Sequence, residues 1–176
     1  MKHVKIPRDR IAVLVGNEGE TKTAIESHGV TLDIDSETGD ASIRSDDAVV
    51  ELDAQSVVRA IGRGFSPDHA LHLFKDDYYF ELLDMRDYVG KKGKDVHRIA
   101  GRIIGKNGRS RRIIEELAGV YLSVYGTTVG IIGQSRGLDV ALQAVRMLLN
   151  GSNHSTVYHF LEKEKKRMKL EEFGLR

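Results

Sequence analysis

The sequence predicts an α+β protein made of two tandem copies of one β-α-α-β-β-α unit, followed by a helical tail. Sliding the 176-residue chain by 89 positions aligns Gly16 with Gly105 and Gly19 with Gly108. Both copies therefore place a Gly-x-x-Gly loop between two stretches with apolar residues at helical spacing. Beyond each loop, apolar and polar residues alternate in two short runs, which is typical of half-buried strands.

In the first copy, a short alternation of polar and apolar residues predicts a strand, and Pro7 can begin the helix that follows. A turn at 37–40 joins the two later strands. Ser66 and Pro67 are a typical cap and first residue of a short helix. The expected elements are strand 3–6, helices 8–15 and 21–28, strands around Leu32 and Ile43, and helices 48–61 and 67–74.

The second copy repeats this order. Strand Tyr79–Val89 is expected first, and Val96, Ile99 and Ile103 then mark the apolar face of a helix. A second helix follows the loop, and Gly119 ends it. The remaining expected elements are strands around Leu122 and Ile131 and a closing helix that is capped by Ser135 and ends at Asn150. We place the first copy at 1–75, the second at 76–151 and the tail at 152–176.

Composition narrows the class of protein. The chain has no cysteine, which excludes disulfides and thiolate metal sites. No apolar run has the length of a membrane span, and we expect an intracellular, cytoplasmic protein. The net charge of +1 hides an asymmetry between the halves. Residues 1–76 carry nine Lys/Arg and fourteen Asp/Glu, whereas residues 77–176 carry eighteen and twelve, so a polyanion should prefer the second half.

The loop of the second copy, Gly105–Gly108, has the chemistry of a phosphate grip. Glycines let a phosphate approach the main-chain amides closely, and the amides that open the next helix carry the positive end of its dipole. Cationic side chains surround the loop at Lys106, Arg109, Arg111 and Arg112. The pattern predicts binding to a nucleic-acid backbone.

The β-α-α-β-β-α order with Ile-Ile-Gly-Lys-Asn-Gly between its first two helices resembles the type I KH domain. That resemblance implies a three-stranded antiparallel sheet packed against helices, and a loop that clamps about four nucleotides of single-stranded RNA. It implies that Gly105, Lys106, Asn107 and Gly108 form the clamp. It further implies that Ile103 or Ile104, with Tyr121 and Ser123, border the base groove, and that Arg102, Arg109 and Arg112 neutralise phosphates.

The first copy departs from this pattern. Its loop is Gly16, Asn17, Glu18 and Gly19, and Glu20 follows it. Two carboxylates repel a phosphate. We therefore expect weak or no RNA grip here, and a role in protein contact or in positioning the second copy. The alternative is that the acids lie on a solvated face while the backbone amides still bind RNA.

The whole chain also resembles the archaeal branch of the Partner of Nob One family of ribosome-assembly factors. The acidic first copy, the strand region Asp76–Glu81 and the stretch Thr156–Glu162 carry this likeness. It implies binding near the 3′ end of the small-subunit rRNA precursor, alongside the Nob-One endonuclease and the alpha subunit of archaeal initiation factor two. We expect no catalysis and no cofactor. A KRR-type assembly factor and a protein-interaction scaffold with little RNA specificity are the alternatives.

Three further features have two interpretations each. Asp68, His69 and His72 have a spacing that a metal could use, although a capped helix commonly carries Asp and exposed His in its first turns. The basic turn with Lys91, Lys92 and Lys94 is either solvated or touches phosphates. The basic run 163–169 of the tail helix either lies on a solvated face or extends the RNA track or a partner surface.

Overall fold

The computed structural model describes residues 1–90 and 92–175, and its contacts divide the chain into one unit over Met1–Phe80 and a second from Glu81 onward. The division falls inside a strand, whereas the sequence placed the boundary after residue 75. Phe80 belongs to the first unit because its ring meets Phe65 edge-to-face at 5.9 Å and lies under the Arg59 guanidinium. The second unit includes the tail.

The first unit has the predicted β-α-α-β-β-α order. Its sheet is antiparallel in the order β1-β3-β2, with Lys2 opposite Ile43 and Thr31 opposite Arg44. Alternate residues of β3, such as Ala41 and Ile43, are fully buried. The elements are β1 (Lys2–Lys5), α1 (Arg8–Val15), α2 (Glu20–Glu26), β2 (Thr31–Ile34), β3 (Asp40–Arg44), α3 (Ala48–Gly62), α4 (Pro67–Ala70) and a 3₁₀ turn (Leu71–Phe74).

The second unit repeats this order and adds the tail helix. Its antiparallel sheet has the order β4-β6-β5, with Tyr121 opposite Ile132 and Tyr125 opposite Thr128. The predicted α+β class, with two three-stranded sheets packed against helices, is confirmed. The elements are β4 (Tyr78–Asp84), α5 (Arg86–Val89), α6 (Gly93–Ile104), α7 (Arg109–Ala118), β5 (Tyr121–Tyr125), β6 (Thr128–Gln134), α8 (Ser135–Leu149) and α9 (His154–Glu172).

Two element predictions were wrong. Strand β4 ends at Asp84 instead of continuing to Val89, because the Asp84 carboxylate accepts a hydrogen bond from the Arg86 amide at 2.9 Å and turns the chain into the short helix α5. Ser135 is the first residue of α8, not its cap. Strand β6 runs through Gln134 directly into that helix, so no loop residue remains to cap it.

The tail helix α9 packs on the second unit. The Asn153 side chain caps it by accepting a hydrogen bond from the Thr156 amide at 2.9 Å. Val157 and Leu161 are fully buried in the same core as Met85 and Ile103. The interpretation of the tail as a helix with one packed side is therefore confirmed. Within residues 1–90 and 92–175, no helix is both long enough and apolar enough to cross a membrane.

Candidate nucleic-acid interface

The Gly-Lys-Asn-Gly loop joins α6 to α7 through three residues with positive φ. Gly105 has φ 74° and ψ 171°, Asn107 has φ 55°, and Gly108 has φ 74° and ψ 15°. A left-handed backbone favours glycine, and asparagine tolerates it better than most other residues. The amino-acid sequence of the loop thus fits its geometry residue by residue, and the chain reverses within one turn.

The two glycines of this loop are required for different reasons. A Cβ on Gly105 would lie 2.7 Å from the backbone nitrogen of Ser110, so there is no room for a side chain. A Cβ on Gly108 would meet only the far end of Arg111 at 4.0 Å, so the positive φ alone selects glycine there. The backbone around Gly108 is consequently open to a ligand.

Three cationic side chains beside the loop are available to a ligand. Lys106, Arg109 and Arg112 are exposed, and none of them forms an ion pair within the described part of the chain. Arg111 differs, because its Nε lies 3.2 Å from a Glu115 carboxylate oxygen. Burial raises the pKa of Glu115, and the nearby Arg111 guanidinium partly offsets this rise. The available positive charge therefore lies at the loop and on the first turn of α7.

The predicted base groove is partly corrected by the structure. Ile103 is 0% exposed and lies in the core, so it cannot touch a base, whereas Ile104 is half-buried and can. Tyr121 and Ser123 are half-buried on one face of β5, and Leu122 between them points into the core. Of the residues predicted to border a base groove, Ile104, Tyr121 and Ser123 are therefore the ones that are not buried in the core.

Arg102 has a different place from the one predicted. Its Nη1 donates to the carbonyl of Leu148 at 2.9 Å, and its Nη2 donates to the carbonyl of Ser152 at 2.6 Å. Its own carbonyl accepts a hydrogen bond from His154 Nε2 at 2.8 Å. Because each terminal nitrogen donates to a carbonyl at or just beyond the end of α8, Arg102 is a structural link between α6, α8 and the start of the tail helix, and its contact with phosphate stays a prediction.

The first unit has the same type of link, which the sequence comparison missed. Arg10 donates from Nε to the carbonyl of Ile61 and from Nη2 to that of Phe65, both at 2.8 Å. Each arginine thus satisfies a carbonyl at the end of the closing helix and a second one four residues later. Arg10 aligns with Ile99 rather than with Arg102, so the 89-residue offset gives no signal for this similarity.

The loop of the first unit has the same backbone with opposite charge. Gly16 has φ 78° and ψ 174°, Glu18 has φ 52°, and Gly19 has φ 79° and ψ 14°. A Cβ on Gly16 would lie 2.6 Å from the Thr21 nitrogen, just as Gly105 is crowded by Ser110. Glu18 and Glu20 are exposed at the positions of Asn107 and Arg109. The shape of a clamp is present in this unit, but carboxylates take the place of exposed cations, and the one cation on the first turn of α2, Lys22, is half-buried.

The side chains of His69 and His72, whose spacing a metal could use, are in contact with other protein groups. His72 Nδ1 donates to the carbonyl of Asp68 at 3.0 Å, and its ring packs against Tyr78. Burial and the neighbouring His72 lower the pKa of His69. Among the described residues, no cluster of three or more His, Cys, Asp or Glu could hold a metal ion. Of the basic turn, Lys91 lies outside the described residues.

Each of the two units has a three-stranded sheet packed against helices and a Gly-x-x-Gly turn between its first two helices. This arrangement defines a tandem type I KH protein. A family model for the second KH domain of PNO1, described as a eukaryotic type KH-domain (KH-domain type I), matches residues 79–166. The KH domain-containing protein MJ0443 of Methanocaldococcus jannaschii is 44% identical over 177 residues, which cover 98% of this chain and 77% of that protein. This chain therefore belongs to the PNO1-type KH family of RNA-binding proteins.

Two further relatives connect the family to ribosomal RNA. The pre-rRNA-processing protein pno1 of Aspergillus fumigatus is 35% identical over 117 residues, which cover 65% of this chain and 46% of that longer protein. In the crystal structure of the a/eIF2alpha-aDim2p-rRNA complex from Pyrococcus horikoshii OT3, one chain is 43% identical, with a TM-score of 0.87 over 94% of both chains. Of the two assembly-factor families that the sequence resembles, the family model favours the PNO1 type.

Proposed function

We propose that this protein binds single-stranded RNA from the 3′ end region of small-subunit rRNA, or of its precursor, during ribosome assembly. The second KH unit grips the RNA. Lys106, Arg109 and Arg112 neutralise phosphates, the loop amides bind the backbone, and Ile104, Tyr121 and Ser123 border the bases. The chain supplies binding and positioning, and it performs no catalysis of its own.

The observation that carries this proposal is the contrast between two loops of equal shape. Both loops have glycines and a left-handed third residue in the same places, yet the loop at Gly105–Gly108 is flanked by three exposed, unpaired cations, whereas the first loop carries two exposed carboxylates and has only the half-buried Lys22 on the helix turn that follows it. Phosphate contacts supply most of the affinity for a nucleic-acid backbone. The occurrence of rRNA in the complex of the Pyrococcus relative supports the choice of RNA class.

The first unit is proposed to contact protein. On α3, Val49 and Leu52 are 64% and 49% exposed, and they are neighbours on the helix surface at a spacing of three residues. Burial and the carboxylates of Asp76 and Asp47 raise the pKa of the adjacent Asp53. An apolar pair set among carboxylates suits a protein partner better than a phosphate chain. The partners proposed are the alpha subunit of archaeal initiation factor two, which the Pyrococcus complex supports, and the Nob-One endonuclease.

The RNA proposal is tested by titrating a short single-stranded RNA that copies the small-subunit rRNA 3′ end, beside a scrambled RNA of equal composition. The double variant Lys106→Asp with Asn107→Asp should lose selective binding, because the two new carboxylates repel the phosphate that the loop holds. The matched control is Asn17→Asp in the first loop, which should bind like the wild type. Equal binding of both RNAs by all variants would instead support the scaffold interpretation.

The protein-contact proposal is tested by calorimetric titration with the isolated alpha subunit of the initiation factor. Val49→Ser with Leu52→Ser should weaken the complex at least tenfold, or about 1.4 kcal/mol, since buried apolar side chains dominate such interfaces. Leu170→Ser is the control, because Leu170 is similarly exposed, at 46%, on the tail helix. A loss of affinity in the control alone would place the protein contact on the second unit.

A further inference from the structure

A groove runs between the tail helix α9 and the end of α7. It has a volume of about 350 Å³ and is lined by Leu117, Glu162, Lys165, Lys166 and Lys169. Leu117 is half-buried and supplies an apolar surface, while the three lysines are exposed along one side of α9. The groove therefore combines an apolar floor with a rim that carries a net charge of +2.

The wall of the groove that α9 forms is anchored by buried side chains and by ion pairs. Val157 and Leu161 are fully buried under the helix. On the opposite flank, Arg136 of α8 pairs with Glu164 at 3.5 Å and with Glu171 at 3.3 Å. The charges of that flank are thus used to fix the helix, and the lysine side is presented to solvent in a defined position.

The lysines of the groove have no competing partner. Of the residues that the structure describes, none forms an ion pair with Lys165, Lys166 or Lys169. Exposed Lys side chains act as point charges toward phosphate. Unpaired cations beside an apolar floor match a nucleic-acid strand, in which charged phosphates alternate with flat base faces.

The groove and the clamp lie at opposite ends of helix α7. Helix α7 begins immediately after Gly108 and reaches Leu117 nine residues later, which is about 13 Å along the helix axis at 1.5 Å per residue. Arg109 and Arg112 provide positive charge at the beginning of this path. A strand held by the loop needs only a few additional nucleotides to reach the lysines.

We propose that the α7–α9 groove is a second RNA-contact surface, which holds the phosphates of nucleotides beyond the four in the clamp. This inference rests on the proposed function of the second unit. It predicts that the protein reads a longer stretch of single strand than the Gly-x-x-Gly loop alone. The occupant is RNA rather than an acidic peptide because the helix that carries Leu117 near its end begins at the clamp itself.

The test compares a four-nucleotide RNA, which fills only the clamp, with a twelve-nucleotide RNA of the same core sequence. The triple variant Lys165→Ala, Lys166→Ala, Lys169→Ala should bind the short RNA like the wild type and the long RNA more weakly. For the long RNA, the slope of log K against log salt concentration should be shallower by about two in the variant. Raising salt from about 50 to 200 mM should therefore weaken binding by the wild type ~15-fold more than binding by the variant. All three positions are exposed, and thermal unfolding verifies that the fold is intact.

The control and the clamp variant separate the two proposals. Arg167→Ala removes an exposed charge from the other flank of α9, where Arg167 pairs with Glu164 at 3.3 Å, and should leave long-RNA binding unchanged. If Lys106→Asp with Asn107→Asp keeps its affinity for the short RNA while the triple variant loses the long one, the clamp proposal fails and the groove stands. Equal loss on both RNA lengths, no loss on either, or tighter binding of a polyglutamate peptide than of RNA would overturn the groove.

Discussion

The two Gly-x-x-Gly loops differ by only a few degrees in their backbone torsions and yet have opposite charge. Gly16 and Gly105 have φ values of 78° and 74°, and Glu18 and Asn107 have 52° and 55°. The shape is set by glycines and by one crowded neighbour, Thr21 or Ser110. The charge beside each loop is set by exposed side chains that do not influence the shape. The two units therefore share one loop backbone and differ in the chemistry that it presents.

The largest effect should come from the crowded glycine. Gly105→Ala should lower the free energy of unfolding by about 2–4 kcal/mol, because the new Cβ has a positive φ and would lie 2.7 Å from a backbone nitrogen. Gly16→Ala should cost a similar amount, but only the Gly105 variant should also lose RNA affinity. Urea unfolding and RNA titration measure the two quantities.

The control for this pair is Gly101→Ala, in the interior of α6, where a Cβ meets nothing within 4 Å. Alanine should there raise the free energy of unfolding by about 0.5–1 kcal/mol, because it restricts the unfolded chain and favours helix. A stable Gly105→Ala variant that binds RNA normally would contradict the account of the loop.

The arginine link should have the next largest effect. Arg102→Ala removes two hydrogen bonds from a charged donor and should cost about 2–3 kcal/mol, with a lower melting temperature of the second unit. Arg10→Ala should cost a similar amount in the first unit, since it makes the matching pair of bonds. If Arg102→Ala left stability intact and removed only RNA binding, the residue would be a phosphate ligand after all.

A loop exchange should sharpen the comparison further. One triple variant, Asn17→Lys with Glu18→Asn and Glu20→Arg, gives the first loop the side chains of the second on an unchanged backbone. In the background of Lys106→Asp with Asn107→Asp, this exchange should raise RNA affinity about tenfold, or ~1.4 kcal/mol. The matching control introduces only Glu18→Gln. No gain from the full exchange would show that charge at the loop is insufficient for the grip.

The smallest effect is expected at Ser110. Its Oγ is fully buried and has no hydrogen-bond partner within the described structure. Ser110→Ala removes an unsatisfied hydroxyl and keeps the Cβ, so the free energy of unfolding should stay equal or rise by up to about 1 kcal/mol. Chemical denaturation measures it. A loss of more than about 1 kcal/mol would mean that the hydroxyl is satisfied in solution.

Periodicity and repetition were sufficient to predict the order of the elements, because each helix and strand buries one face of its own sequence. What they missed depends on distant contacts. The spacing of Val96, Ile99 and Ile103 already indicated that Ile103 faces the core, a signal that was not applied to the base groove, and packing shows that Ile103 is fully buried. Arg102 reaches carbonyls 46 and 50 residues away, which no local pattern reveals. The end of β4 had a local signal, the Asp84 turn, that was overlooked.

The central claim is that the second loop holds RNA and the first does not. Amide NMR signals of Gly16, Gly19, Gly105 and Gly108 report on both loops at once in the unmodified protein. On titration with the rRNA 3′-end oligonucleotide, Gly105 and Gly108 should shift strongly while Gly16 and Gly19 remain in place. Comparable shifts in both loops, or shifts confined to Gly16 and Gly19, would contradict the account.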